Sequence, residues 1–166
     1  ILTGWNIDYF DVPYLYRRLA RVLGEDQACR LSPIGHAYFH PFKKRIVIAG
    51  VSCLDYLALY KNFTYTDEPS YRLDAIGRKE VGIGKIEYEG NLDTLFRDDI
   101  EKFVEYNLND VKIVVEIDKK MELIELTRSI CHIGHVPYED ILFSSRYLEG
   151  ALLAYLRRKN LVAPNK

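Results

Sequence analysis

The chain has 166 residues, 48% hydrophobic and 28% charged, a size and balance that suit one soluble domain with a buried core. A formal net charge of −1 excludes a broadly basic surface that coats polyanions, so any nucleic-acid contact has to be local. No apolar run approaches the ~18 residues of a membrane-spanning helix, which excludes that class of membrane protein. Cys29, Cys53 and Cys131 are odd in number and far apart, without a CxxC pair, and point to a reduced, cytosolic compartment. The thirteen tyrosines are read first as half-buried packing and only second as base-stacking surfaces.

In chain order, residues 1–6 are expected to form a buried strand ending at a carboxylate-bearing turn. The chain opens inside this apolar run without an initiator methionine, and reads as a piece of a longer protein. Val12, Leu15, Leu19, Val22 and Leu23 recur at helical spacing over residues 12–23, with Arg17, Arg18 and Arg21 between them. Pro13 suits a first turn, Asp11 favours the positive end of that helix, and Gly24 stops it. Residues 30–36 read as loop. The runs 37–40 and 45–51, joined by Phe42-Lys43-Lys44, resemble a hairpin.

Short helices are expected at 56–61 and at 70–78, the second capped by Ser70 and closed near Gly82 and Gly84. Another is expected at 91–97. The longest periodic stretch runs from about residue 99 to 133 and is ended by Gly134 and Pro137. A last helix over 146–159 places Leu148, Leu152, Leu153 and Leu156 on one side. Strands early and helices late indicate an α/β fold with a helical C-terminal part.

Two segments carry chemistry. Asn6-Ile7-Asp8-Tyr9-Phe10-Asp11 places a carboxylate just after a strand. About a hundred residues later, Tyr106-Asn107-Leu108-Asn109-Asp110 places a phenol and a carboxylate one helical turn apart, on one face. Taken singly, each has a plain structural reading: Asp11 as an acid near a helix N-terminus, Asp110 as a surface residue of an amphipathic helix. Together they supply oxygen ligands for Mg²⁺ or Mn²⁺ and a polar group to orient water, as two-metal phosphodiester hydrolysis requires.

These segments, with Leu31-Ser32-Pro33-Ile34, Gly50-Val51-Ser52-Cys53-Leu54-Asp55-Tyr56-Leu57 and Ser70-Tyr71-Arg72-Leu73-Asp74, resemble in order and spacing the 3′→5′ proofreading exonuclease of family B DNA polymerases of T4-like bacteriophage type. The resemblance implies an RNase H-like fold, truncated at its N-terminus. Residues 1–135 would form a partial exonuclease domain, and the helical segment 136–166 would lead toward the polymerase palm. It implies two divalent metals, Mg²⁺ or Mn²⁺, per complete site. Asp11 would serve one and Asp110 the metal that activates water, with Tyr106 orienting that water. Asn6 and Phe10 match positions that line the path of the unpaired 3′ end, where Phe10 could stack on a base.

The family's Asp-x-Glu strand, which supplies two further carboxylates, is not matched upstream of Asn6. The chain as given is therefore expected to bind Mg²⁺ weakly and to degrade DNA barely or not at all. An exposed sheet edge follows, and a homodimer through it is one expectation. The expected partners are a single-stranded 3′ end of DNA and the remainder of the polymerase chain, without a membrane and in the cytoplasm of a phage host. The alternative is a non-catalytic DNA-binding or scaffolding domain; a stand-alone RNase H-like nuclease is a third reading, disfavoured by Asn160-Leu161-Val162-Ala163-Pro164, which resembles the lead into the palm. Cys131-His132-Ile133-Gly134-His135 is read as a helix end rather than a zinc site, Gly82-Ile83-Gly84-Lys85 as a turn, and Lys43-Lys44-Arg45 and Arg157-Arg158-Lys159 as solvated basic clusters.

Overall fold

The computed structural model describes residues 1–42, 44–86 and 92–164. The chain divides into two units, one made of Ile1–Phe63 with Leu123–Lys166, the other of Thr64–Glu122.

In the first unit, β1 (Leu2–Gly4) pairs in parallel with β4 (Cys53–Asp55), Thr3 opposite Leu54. The Thr3 hydroxyl donates to the Leu54 carbonyl at 2.7 Å. The expected buried strand is shorter, and it is open at its start, with Ile1 and Leu2 exposed. The reason is that β4 is its only strand partner among the described residues. Helix α1 (Asp11–Leu23) begins and ends where Asp11 and Gly24 place it, and Gly24 adopts φ 93°, open to glycine without strain.

A short helix, α2 (Glu25–Cys29), lies between α1 and the expected loop over 30–36; five residues carry too little apolar periodicity to announce themselves. The hairpin is present as β2 (Ala37–His40) and β3 (Arg45–Ile48), antiparallel, with Ala37 opposite Ile48. The expected turn Phe42-Lys43-Lys44 includes Lys43, which lies outside the described residues.

The hairpin lays Ala37, Ile46 and Ile48 against Ile7 and Val12, with Tyr16, Leu31, Val51 and Cys53 packed around them. α3 (Tyr56–Phe63) adds the buried Tyr56, Leu59 and Tyr60. The lone tryptophan, Trp5, sits with its ring centroid 6.3 Å from Tyr56 and 5.9 Å from Tyr60.

In the second unit, α4 (Leu73–Val81) packs on α6 (Ile100–Met121), as does α5 (Leu92–Asp98), around Leu73, Ile76, Leu95, Ile113 and Ile117. α4 starts later than expected. Ser70 does not cap it but accepts a hydrogen bond from the Arg72 N–H, while Gly82, left-handed at φ 71°, closes it. Asn91, placed at the head of the expected helix over 91–97, lies outside the described residues.

The long helix expected over 99–133 is two. Asp99 caps α6 by accepting from the Lys102 N–H at 2.9 Å, and Glu122 breaks the run at φ 53°. α7 (Leu123–Gly134) then begins, in the first unit. Glu122 is neither Gly nor Pro, and the apolar period runs through it, so no local residue type announced the break.

The last helix, α8 (Ser144–Arg158), approaches α7 so closely that a Cβ on Gly150 would fall 1.9 Å from the Gly134 carbonyl oxygen. The leucines expected on one side of it are not a core face: Leu148, Leu152 and Leu153 are exposed. No helix among the described residues is long and apolar enough to cross a membrane.

Candidate functional site

The sequence-derived site residues fall in both units. Asn6, Phe10 and Asp11 belong to the first, Tyr106 and Asp110 to the second.

The first group is shaped by a residue that chemistry-led reading passed over, Asp55. It ends β4 and is 6% exposed. One carboxylate oxygen accepts the N–H groups of Asn6 at 2.9 Å and of Leu57 at 3.0 Å; the other accepts that of Asp8 at 3.3 Å. Asp55 thus ties the end of β1, the turn after it and the start of α3 to one point. Burial pushes its pKa above the ordinary carboxylate value, against the lowering effect of the Asn6 and Asp8 N–H groups.

Held in this way, Asn6 adopts φ 63°, a left-handed conformation that Asn tolerates better than most residues. Its carbonyl accepts from the N–H groups of Tyr9 and Phe10, winding the turn into α1. Asp8 turns inward to an ion pair with Arg45, 3.1 Å away on the hairpin. Phe10 points outward, 67% exposed. Asp11 opens α1, and partial desolvation raises its carboxyl pKa, opposed by a hydrogen bond from its own backbone.

The second group lies on α6. Tyr106 and Asp110 project from the same face, and both meet Lys85. Its ammonium donates to the Tyr106 hydroxyl at 2.9 Å and to Asp110 Oδ2 at 2.7 Å, and it lies 5.1 Å from the centre of the Tyr106 ring. Asp110 Oδ1 is shut off from solvent and has no hydrogen-bond partner among the described residues. Burial by itself would lower the pKa of Lys85; its bonds to Asp110 and Tyr106 outweigh that and raise it.

Lys85 is delivered by the segment that follows α4. Its N–H donates to Asp74 Oδ1 at 2.7 Å, while Asn109 reaches the Gly84 carbonyl at 3.1 Å. A Cβ on Gly84 would stand 2.6 Å from Arg78 Nε and 2.9 Å from Asp74 Oδ1, so a larger residue there would make these two side chains shift. Gly82 to Lys85, expected as a turn, is a bend at Gly82 followed by irregular backbone, and the sequence alone gives Lys85 no partner. A lysine and an Asp-Tyr pair 25 residues apart share no spacing rule that could have joined them.

The chemistry available is that of hard oxygen donors. Asp110 Oδ1, buried without a partner, is an oxygen suited to a cation, and carboxylates suit Mg²⁺ or Mn²⁺. Donor type therefore fits such ions, while donor number falls short: no group of three or more His, Cys, Asp or Glu among the described residues could hold one. The single Asp-x-Glu in the chain, Asp99-Ile100-Glu101, is spent on the start of α6. Cys131, in the His-Cys stretch, is buried with its thiol directed to the Pro137 carbonyl.

Residues 1–76 match the family model of the DNA polymerase family B exonuclease domain. The chain is 34% identical to the DNA-directed DNA polymerase of Escherichia phage RB69 over 99% of its own length, and 34% identical to that of Enterobacteria phage T4 over 100%. It is 30% identical to DNA polymerase 1 of Saccharolobus solfataricus over 81% of its length. It spans 19% of the length of each phage relative. The match to the exonuclease domain thus covers residues 1–76, while the similarity to the two phage DNA polymerases runs over nearly the whole chain.

Proposed function

We propose that this chain, similar over residues 1–76 to the exonuclease domain of family B DNA polymerases and over nearly its whole length to two T4-like phage polymerases, contributes to 3′→5′ proofreading hydrolysis of DNA within such a polymerase. The fold in this reading is RNase H-like. Residues 1–135 belong to the exonuclease part and 136–166 lead toward the palm, and the setting is the cytoplasm of a phage host. Its partners are a single-stranded 3′ end and further polymerase chain; a second copy of this chain has no role in it.

The observation that carries the reading is Asp110, a carboxylate with one oxygen buried and unpartnered, beside a tyrosine hydroxyl one turn away. Asp110 and Asp11 hold divalent ions in this scheme, and Tyr106 offers its hydroxyl to orient the attacking water. When bound, the metals activate that water and stabilise the leaving 3′-oxyanion. Phe10 stacks on a base of the incoming strand, and Asn6 hydrogen-bonds near the terminal nucleotide. A frayed terminus is selected because unpairing costs least at a mismatch. Either carboxylate by itself makes a weak Mg²⁺ site, and further carboxylates such as those of an Asp-x-Glu strand would be needed to complete the ligand set.

The ion pair of Lys85 with Asp110 favours a second reading, a non-catalytic DNA-binding or scaffolding domain in which the lysine replaces the metal. One experiment separates the two. A single-stranded oligonucleotide is offered, with Mg²⁺ or Mn²⁺, to this chain, to the chain extended upstream by an Asp-x-Glu strand, and to the extended Asp11→Ala and Asp110→Ala variants. Hydrolysis by the extended chain, lost in both variants, supports proofreading. A folded but inactive extended chain supports the scaffold.

A further inference from the structure

We propose that the solvent face of α1 is a track for single-stranded nucleic acid, with Tyr9, Phe10 and Tyr14 taking bases and Arg17, Arg18 and Arg21 taking phosphates. Tyr14, Arg17, Arg18 and Arg21 stand at i, i+3, i+4 and i+7, the spacing of one helix face. The opposite face turns Val12 and Tyr16 into the core. These six side chains line one continuous groove. Tyr9, Phe10 and Tyr14 are 76%, 67% and 63% exposed, three large rings held in water with no core to serve. The three guanidinium groups have no ion-pair partner among the described residues.

Charge and shape select the occupant. The chain carries net charge −1, yet α1 holds these three arginines against a single acid, Asp11, at its head. A polyanion matches that local excess. An acidic peptide would satisfy the arginines but leave the rings in water, and a duplex keeps its base faces stacked inside. An unpaired strand satisfies both sets, its bases on the rings and its backbone on the guanidinium groups. From Phe10 to Arg21 the helix rises about 16 Å, room for no more than about five phosphates at the 3.4 Å per-strand spacing of B-DNA.

The inference rests on the proofreading reading only in placing the 3′ end at Phe10. It adds where the strand goes beyond that end.

The test is fluorescence anisotropy of a labelled oligothymidylate of ~12 nucleotides with the full chain in EDTA, repeated across a salt series. Binding to single strands weakens with salt at a slope near −0.7 per phosphate neutralised, so R17Q/R18Q/R21Q is expected to flatten the log–log slope by about 2. Tyr14→Ala is expected to weaken binding about tenfold with the slope unchanged. Circular dichroism verifies that these surface variants are folded.

An unchanged slope and affinity in the triple variant, while Phe10→Ala weakens binding, overturns the track and leaves the proofreading reading standing. Equal affinity for a duplex of the same length also overturns it, since the face would then be a general polyanion surface. No binding by the unaltered chain removes the track and the strand-binding part of the proofreading reading together.

Discussion

Replacing Asp55 with alanine tests whether the turn that presents Asn6, Phe10 and Asp11 is set by one buried carboxylate. The two shorter bonds, from the Asn6 and Leu57 N–H groups, are 2.9 and 3.0 Å long, and that from Asp8 is 3.3 Å. A hydrogen bond to a charged group contributes about 1.5–3 kcal/mol, so the two shorter bonds account for roughly 3–6 kcal/mol. Against this stands the cost of burying the charge, the first cause of the raised pKa of Asp55. Removing the carboxylate removes that cost too, and the net loss for Asp55→Ala is expected to be about 2–4 kcal/mol.

Asp55→Asn keeps one acceptor oxygen for Asn6 and Leu57 but turns an NH₂ toward the Asp8 N–H, and is expected to lose about 1–2 kcal/mol. The pH dependence follows from the sign of the shift. A folded-state pKa above the ordinary 3.8 means that the folded chain holds this proton more tightly than the unfolded one. The Asp55 contribution to stability therefore falls as pH rises from about 3.8 through the folded-state pKa, and then stays level; Asp55→Asn removes that slope. Urea denaturation followed by Trp5 fluorescence reads the effect, because Trp5 packs near Tyr56 and Tyr60 in the same unit. A loss below about 0.5 kcal/mol for Asp55→Ala, or equal losses for the alanine and asparagine variants, would refute the reasoning.

Lys85→Met should destabilise the second unit by about 1–2 kcal/mol, since it strips Asp110 of its partner at a half-exposed position; hydrogen exchange along α6 measures it. Because pairing raises the Lys85 pKa, this contribution is fully present below about pH 10.5 and lost as pH rises through the folded-state value, where the two proteins should converge. Gly77→Ala would put a Cβ 2.5 Å from the Ile83 carbonyl oxygen and 2.7 Å from Ile113, with an expected cost of about 1–3 kcal/mol in thermal unfolding. A wild-type melting curve for it would mean that the segment leading to Lys85 is free to move. The thiols of Cys53 and Cys131 are pushed up by burial, so both should react slowly with a thiol reagent at mildly alkaline pH and rapidly once the chain is unfolded in urea.

Much of this architecture was legible locally. Helix α1 could be read because Val12 and Leu19 recur on one face, with Asp11 and Gly24 at its ends. The hairpin could be read because β-type runs flank a polar turn. Tyr106 and Asp110 could be placed on one face because four residues complete about one helical turn. The helix break at Glu122 could not be read, since its left-handed backbone is imposed on a residue that does not prefer it. Nor could the exposure of Leu148, Leu152 and Leu153, because periodicity states which residues share a face and not whether anything covers it.

The sequence by itself determined the helical and strand periods, the ends marked by Asp11, Gly24, Gly82 and Gly134, and the residue types at the candidate site, because those properties depend on neighbours within a few positions. Only the tertiary structure decided that Asp55 would hold the turn before α1, 49 residues away at Asn6, and that Lys85 would reach Asp110 across 25 residues. Such pairs have no periodicity to betray them. They form because a carboxylate drawn out of water needs a donor, and which donor arrives is settled by the packing that brings distant segments together.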